Sequence, residues 1–374
     1  MPSLFDPLQL GAVCLKNRIV MAPLTRTRAT QGRMPNDLMR TYYSQRASAG
    51  LIITEATSIS PQAVGYPNTP GIWSSAQVEA WSKITQAVHN KGGKIFLQLW
   101  HVGRVSDPEH LNGAIPVAPS AIACEGHVSL LEPRRPYPVP RALHVDEMAG
   151  IAADFGEGAR HAREAGFDGV GIHAANGYLI DQFLHDGSNQ RQDAYGGALE
   201  NRSRLLMEIV DACIGVWGAG RVGVHLSPRG TAHSMSDSDP ENLFRYVAQA
   251  LGRRQLAFLF IREAWRQDSL LPELKRLFGG PVIANDGYDP NIARKVMDSG
   301  HADAVAFGRC FISNPDLVNR LKTGAPLNSY DPSSFYAPGA KGYIDYPCMT
   351  VMDCEPDQAE GRAPGVRSGA GSIA

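Results

Sequence analysis

Short apolar runs recur eight times along this chain with helix-patterned segments between them, and that alternation limits the fold more than any single motif. The runs are residues 17–23 (NRIVMAP), 50–57 (GLIITEAT), 93–99 (GKIFLQL), 167–174 (FDGVGIHA), 221–228 (RVGVHLSP), 256–263 (LAFLFIRE), 281–287 (PVIANDG) and 302–309 (ADAVAFGR). Continuous aliphatic and β-branched character over such lengths suits strands buried on both faces. Helical spacing of apolar residues is read at 75–91, 146–165, 199–216, 240–251, 289–299 and 314–322. Gly92 and Gly93 stop the first of these, and Gly166 the second. Eight strand-then-helix units predict an α/β fold, a TIM (β/α)8 barrel with parallel strands. A doubly wound sheet would favour a G-x-G-x-x-G turn after its first strand, and here that strand runs into APLTRTR.

Two stretches depart from the repeat. Residues 101–141, after the third strand, are rich in proline and glycine and far longer than an ordinary βα loop, so they are expected to form a lid or site wall. Residues 348–374 become small and polar and are expected to be a mobile tail, leaving 1–347 as one barrel domain. The formal net charge is −1, so no basic excess argues for nucleic acid. No apolar run is long enough to span a membrane, and the N-terminus lacks the pattern of a secretory signal. The six cysteines are scattered without a C-x-x-C pair, so neither a disulfide framework nor a zinc site is expected; a reduced, cytoplasmic protein is.

In a barrel, the residues that follow each strand converge on one face. Collecting them gives Pro23, Leu24 and Thr25; Glu55, Ala56 and Thr57; Gln98, Trp100 and His101; His173, Asn176 and Tyr178; His225 and Ser227; then Asn285, Asp286, Gly287, Gly308 and Arg309. No carboxylate or histidine cluster has metal-ligand spacing, so no metal is expected. The set is instead one of neutral amides, hydroxyls and aromatics. Gly287 and the Gly308–Arg309 pair read as a phosphate site, backbone N–H groups plus one guanidinium. Neutral donors beside a phosphate site suit a flat, amide-bearing cofactor such as FMN.

Long blocks now carry a resemblance: LFDPLQLG, NRIVMAPLTRTRA, YYSQRASAGLIITEAT, FLQLWHVGR, GIHAANGYLIDQFLHDGSNQRQDAYGGALENRSR, SPRGTAHSMSDSDP, FGRCFISNPDLVNRL and the closing GAKGYIDYP. Over about residues 3–347 the chain resembles the Old Yellow Enzyme family of FMN-dependent ene-reductases. Within it, the match is to the threonine-containing branch near the bacterial N-ethylmaleimide and xenobiotic reductases. The resemblance implies an NAD(P)H-dependent flavin oxidoreductase that reduces the C=C bond of activated alkenes by a ping-pong route, with hydride passing through flavin N5 and NADPH favoured over NADH. It implies non-covalent FMN lined by Pro23, Leu24, Thr25, Ala56 and Gln98, with Gly287, Gly308 and Arg309 at the phosphate. It implies that His173 and Asn176 grip the substrate's carbonyl or nitro oxygen, that Tyr178 donates the proton, and that Tyr66, Trp100 and Tyr336 surround the substrate. Relatives occur as monomers and homo-oligomers.

The fifth strand departs from the family pattern. Relatives usually carry arginine beside flavin N1, and His225 stands there instead. A guanidinium is always charged, whereas a histidine of ordinary pKa need not be. The swap is expected to lower the flavin's reduction potential and make it pH-dependent. It also keeps two other readings open: an FMN-barrel desaturase or isomerase, and a flavin-binding protein with impaired catalysis. His101, His185, His233 and His301 carry no signal of a role.

Overall fold

The structure, a computed structural model, describes residues 2–349. The expected tail therefore lies, past Met349, outside the described residues. Eight parallel strands close into a barrel in chain order: β1 Ile19–Met21, β2 Leu51–Ser58, β3 Ile95–Trp100, β4 Gly169–Ala174, β5 Val222–Leu226, β6 Phe258–Arg262, β7 Val282–Asn285 and β8 Ala304–Phe307. Closure comes from β8 pairing with β1, with Phe307 opposite Met21. Six of the eight predicted runs contain one of these strands, and β2 and β3 each extend one residue beyond theirs.

Helices follow the strands on the outside: α1 Asp37–Gln45, α2 Ser75–Asn90, α3 Met148–Glu164, α4 Arg204–Trp217, α5 Pro240–Gly252, α6 Leu271–Phe278, α7 Pro290–Asp298 and α8 Leu317–Thr323. The sequence reading had not singled out α1 and α6, which are only nine and eight residues long. Local signals fix the starts of several. Ser74 and Gln77 form a reciprocal capping box on α2, Asp239 caps α5 ahead of Pro240, and Asp289 caps α7 ahead of Pro290.

Inside the barrel, Val20, Ile53, Phe96, Phe258, Phe260 and Ile283 pack into one apolar cluster. Two strand glycines make room for its rings. A Cβ at Gly169 would lie 2.4 Å from the Phe96 ring, and one at Gly223 would lie 2.2 Å from the Phe258 ring. The N-terminal residues Leu8–Leu10 and Val13–Leu15 form an antiparallel hairpin, not foreseen from sequence, whose Leu10, Val13 and Leu15 belong to the same cluster. Against expectation for the scattered cysteines, Cys348 is disulfide-bonded.

The long segment after β3 forms a wall, as expected. Cys124, Val128, Leu131 and Tyr137 from it cluster with Tyr66, Trp100 and Tyr178. Arg104 ties it down by donating to the carbonyls of Ile122 (3.1 Å) and His233 (3.0 Å). On the other side, three buried arginines clamp the C-terminal segment. Arg26 donates to Gly342 O (2.7 Å), Arg28 to Ser334 O (2.9 Å) and Phe335 O (2.7 Å), and Arg46 packs 3.8 Å from the Tyr42 ring centre. Tyr343 stacks on Tyr42 at 4.1 Å. Thr27 holds the carbonyl of Tyr336 (3.0 Å), which places that half-exposed tyrosine near Tyr178.

Candidate active site

The carboxyl ends of β2 to β6 bring the central residues together. The turn after β4 is tight because Asn176 (φ 59°) and Gly177 (φ 77°) are both left-handed. Only glycine fits the second position, where a Cβ would lie 2.6 Å from Ala232 O. Tyr178 then precedes the short helix Leu179–Leu184, and Gln182 from that helix braces the turn by donating to Gly177 O (2.7 Å) and Val102 O (3.0 Å).

An aromatic cage forms around the turn. Tyr178 meets the Trp100 ring edge-on at 4.9 Å and the His173 ring at 5.0 Å, and Tyr66 stacks on Trp100 at 5.4 Å. The Tyr66 and Tyr178 hydroxyls are hydrogen-bonded at 2.9 Å. Burial pushes the Tyr178 phenol well above its ordinary value, and the Tyr66 hydrogen bond pulls partly against that shift. Burial, then its neighbour Tyr178, pushes the Tyr66 phenol up as well. Both are therefore protonated at neutral pH.

His233 joins the cage, contrary to the absence of any signal for it in the sequence. Its Nδ1 donates to Asn176 O at 2.7 Å, and its Nε2 lies 3.4 Å from the Tyr66 hydroxyl. The first contact fixes the neutral tautomer with the proton on Nδ1, leaving Nε2 as an acceptor for Tyr66. Its backbone is left-handed (φ 57°), and Arg104 holds its carbonyl.

Two histidines stack at the mouth of β4 and β5, with the rings of His173 and His225 4.9 Å apart. Burial, with the charge of Arg262 adding to it, drives His173 down to about 3. Burial, then His173 and Arg262, takes His225 well below its ordinary value. Both rings are neutral throughout the physiological range, which corrects the expectation that titration of His225 would make a bound flavin's potential pH-dependent. Gln98 Nε2 donates to His225 Nδ1 at 3.1 Å, so the His225 proton sits on Nε2. His225 thus presents a neutral donor where relatives would carry a guanidinium.

The remaining expected residues lie on or just after other strands of the barrel. Pro23, Leu24 and Thr25 are half-buried after β1, and a Cβ on Gly308 would touch Leu24 at 3.3 Å. Ala56 is buried on β2, next to an irregularity in its pairing with β3. Gly287 is left-handed (φ 70°) with open space around its Cβ position. Arg309 is exposed and makes no ion pair among the described residues; its guanidinium lies 5.9 Å from the Tyr330 ring centre.

These residues fit FMN by their chemistry. His173 Nδ1, His225 Nε2 and Trp100 Nε1 are buried without a hydrogen-bond partner, and buried polar atoms of that kind await a ligand. They are uncharged donors of the kind that carbonyl oxygens accept from, and Arg309 is the one exposed guanidinium among the expected residues. No metal-binding group of His, Cys, Asp or Glu exists among the described residues.

Arg262 is the second residue that the sequence reading missed. It ends β6, and its Nη1 donates to Asn176 Oδ1 at 2.7 Å. The strand-end rule, applied to the sixth run as it was to the others, points to it.

The profile of the NADH:flavin oxidoreductase / NADH oxidase family matches residues 3–328. The chain is 45% identical to "12-oxophytodienoate reductase 1" of Oryza sativa subsp. japonica, over 94% of each sequence. It is 44% identical to the "probable flavin mononucleotide-dependent alkene reductase" of Leishmania infantum, over 92% of this chain and 97% of that one. Among solved structures, the old yellow enzyme homologue from Zymomonas mobilis superposes with a TM-score of 0.90 at 49% identity, covering 92% of this chain and 99% of its own. Morphinone reductase in complex with tetrahydroNAD gives a TM-score of 0.90 at 47% identity, covering 94% and 99%. The chain belongs to the NADH:flavin oxidoreductase / NADH oxidase family, and within it to the Old Yellow Enzymes: an FMN-dependent, NAD(P)H-linked oxidoreductase of the alkene-reductase kind.

Proposed function

We propose that this protein reduces the C=C bond of activated alkenes such as enones, maleimides and nitroalkenes, with His173 and Asn176 holding the activating oxygen and Tyr178 donating the proton. The observation that carries the reading is the meeting of an orphaned imidazole, an amide whose oxygen is held by Arg262 and a hydrogen-bonded phenol at one turn after β4. Bound FMN supplies the hydride chemistry between nicotinamide and alkene. Thr25, Ala56, Gln98, His225, Gly287, Gly308 and Arg309 are the residues that would hold it, and NADPH as the preferred nicotinamide rests on the family resemblance alone.

Negative charge grows on the substrate oxygen as the alkene takes up hydride. Donors already aimed at that oxygen lower the barrier, by about 3–4 kcal/mol for an oxyanion-hole donor. His173 is neutral, so it offers one N–H and no charge. Tyr178 delivers its proton to the α-carbon, and the Tyr66 hydroxyl at 2.9 Å then donates to the phenolate that remains. Trp100, Tyr66 and the wall after β3 keep water from that phenol. Tyr336 would flank the substrate at the entrance.

The purified yellow enzyme should bleach with NADPH under anaerobic conditions and recolour with cyclohexenone or N-ethylmaleimide. Bleaching without recolouring favours a desaturase or isomerase. Bound FMN that does neither favours impaired catalysis at His225.

A further inference from the structure

We propose that Arg262 is a positioning residue of the oxygen pocket: by occupying the carbonyl of the Asn176 side chain it turns both amide N–H bonds toward the ligand, and it makes the pocket selective for ligands that carry negative charge on the gripped oxygen. The inference rests on the reading of His173 and Asn176 as the oxygen-holding pair.

An asparagine amide has one acceptor and two donors, and only its surroundings decide which end faces a ligand. Every other polar group of Asn176 is already engaged. Its N–H donates to Ser227 Oγ (2.8 Å), and its carbonyl accepts from His233 (2.7 Å). The side-chain oxygen accepts from the Arg262 guanidinium at 2.7 Å, a charge-assisted bond. That leaves Nδ2, with no protein partner among the described residues, as the end presented to a ligand. A neutral donor in place of Arg262 would hold the amide less firmly, and an acceptor there would invert it.

The charge also matters in itself. His225 sits where relatives carry arginine on β5, and it is neutral. Phe260 of β6 pairs with His225 in register, so Arg262 rises two residues further along the adjacent strand. Its charge is close enough to depress both His173 and His225. The positive charge nearest the paired histidines is therefore that of Arg262. Asp286, at 3.5 Å, is its only ion-pair partner among the described residues. Both side chains of that pair are about two-fifths exposed, so the pairing is screened and leaves Arg262 available to a ligand. The cavity beside it, about 370 Å³, is lined by Ser227, Thr231, Arg262 and Asp286 among others.

Phenolates are stable mimics of an enolate: flat, with charge on one oxygen. The test measures, by calorimetry on the FMN-loaded enzyme, the affinity for 4-cyanophenolate above the phenol's own pKa and for neutral 4-cyanoanisole. Loss of a charge-assisted hydrogen bond predicts roughly 10- to 100-fold weaker phenolate binding in Arg262→Gln, with 4-cyanoanisole within about threefold of the parent. Arg262→Lys, which restores the charge but not the fork, should recover part of that loss. In an Asn176→Ala background, Arg262→Gln should weaken phenolate binding by a smaller factor than in the parent, because the route through the amide is gone and only the direct action of the charge remains. Flavin content and spectrum report that each variant is folded. Phenolate affinity unchanged in Arg262→Gln, or equal losses for both ligands, overturns the proposal. If the parent enzyme bleaches and recolours yet binds no phenolate, the proposal falls and the reductase reading stands. If the parent fails to recolour, the reading beneath it falls as well.

Discussion

Replacing Tyr178 by phenylalanine should separate the two halves of the catalytic cycle. The substitution removes one oxygen from a cage whose rings otherwise stay in place, since the contacts with Trp100 (4.9 Å) and His173 (5.0 Å) are made by the ring. The hydrogen bond to Tyr66 disappears, at a cost of about 1 kcal/mol. Tyr66 keeps His233 Nε2, at 3.4 Å, as a partner, so no buried hydroxyl is orphaned. The melting temperature should therefore fall by only about 2 °C. The chemical effect is far larger, because a positioned general acid contributes about 100- to 10,000-fold. Stopped-flow mixing with NADPH should show flavin reduction within about threefold of the parent, since that step takes no proton from Tyr178. Mixing the reduced enzyme with cyclohexenone should show reoxidation slowed by the full general-acid factor. In the parent, reoxidation should have no basic limb below the ordinary tyrosine value of about 10, because burial raises the phenol. Equal slowing of both half-reactions, or of neither, refutes the assignment of the proton to Tyr178.

Three further outcomes follow from the same geometry. His225→Arg restores a guanidinium and should raise the flavin's reduction potential, by about 30 mV for each 1.4 kcal/mol of added attraction to the two-electron reduced form. The difference should not vary with pH near neutrality, because His225 is already neutral there; redox titration at two pH values checks both points. Glu55 is buried, and burial, outweighing its bonds from the Arg26 N–H and the Tyr43 hydroxyl, raises its pKa to about 7. Its folded pKa exceeds the unfolded one, so the folded state binds the extra proton, and this contribution is fully present below about pH 4.5 and lost as pH rises through about 7. Denaturant unfolding of Glu55→Gln should therefore gain on the parent by about 3 kcal/mol between pH 4.5 and pH 8; a constant difference would remove the argument. Arg28→Ala strips the donor from the carbonyl of Ser334 and one of two from that of Phe335, which keeps Arg26 Nε at 2.9 Å, and should destabilise by about 2–4 kcal/mol while raising KM through Tyr336. An unchanged KM would mean that Tyr336 does not shape the substrate entrance.

The barrel was legible because its signal is local and repeated. Buried parallel strands need unbroken apolar runs, and each of the eight runs carried one. Strand ends then listed most of the site without any coordinates, since barrel topology sends them all to one face. His173, Asn176 and Tyr178 stood out because three polar side chains follow a buried strand within six residues. The short helices α1 and α6 and the hairpin at Leu8–Leu15 did not, for their patterns are too brief to exceed those of a loop.

What only the tertiary structure decided is the electrical state and orientation of those side chains. Sequence says that His225 is not an arginine; it cannot say that Gln98, Phe260 and His173 enclose the ring and keep it neutral. Nor does a run containing Arg262 show that the guanidinium reaches Asn176, which lies 86 residues earlier. His233 carried no signal for the same reason, since its partners Tyr66 and Asn176 come from other strands' loops. Periodicity records which face of an element is buried. Protonation and hydrogen-bond direction depend on desolvation and on charges a few ångströms away, and closing the barrel is what brings those together.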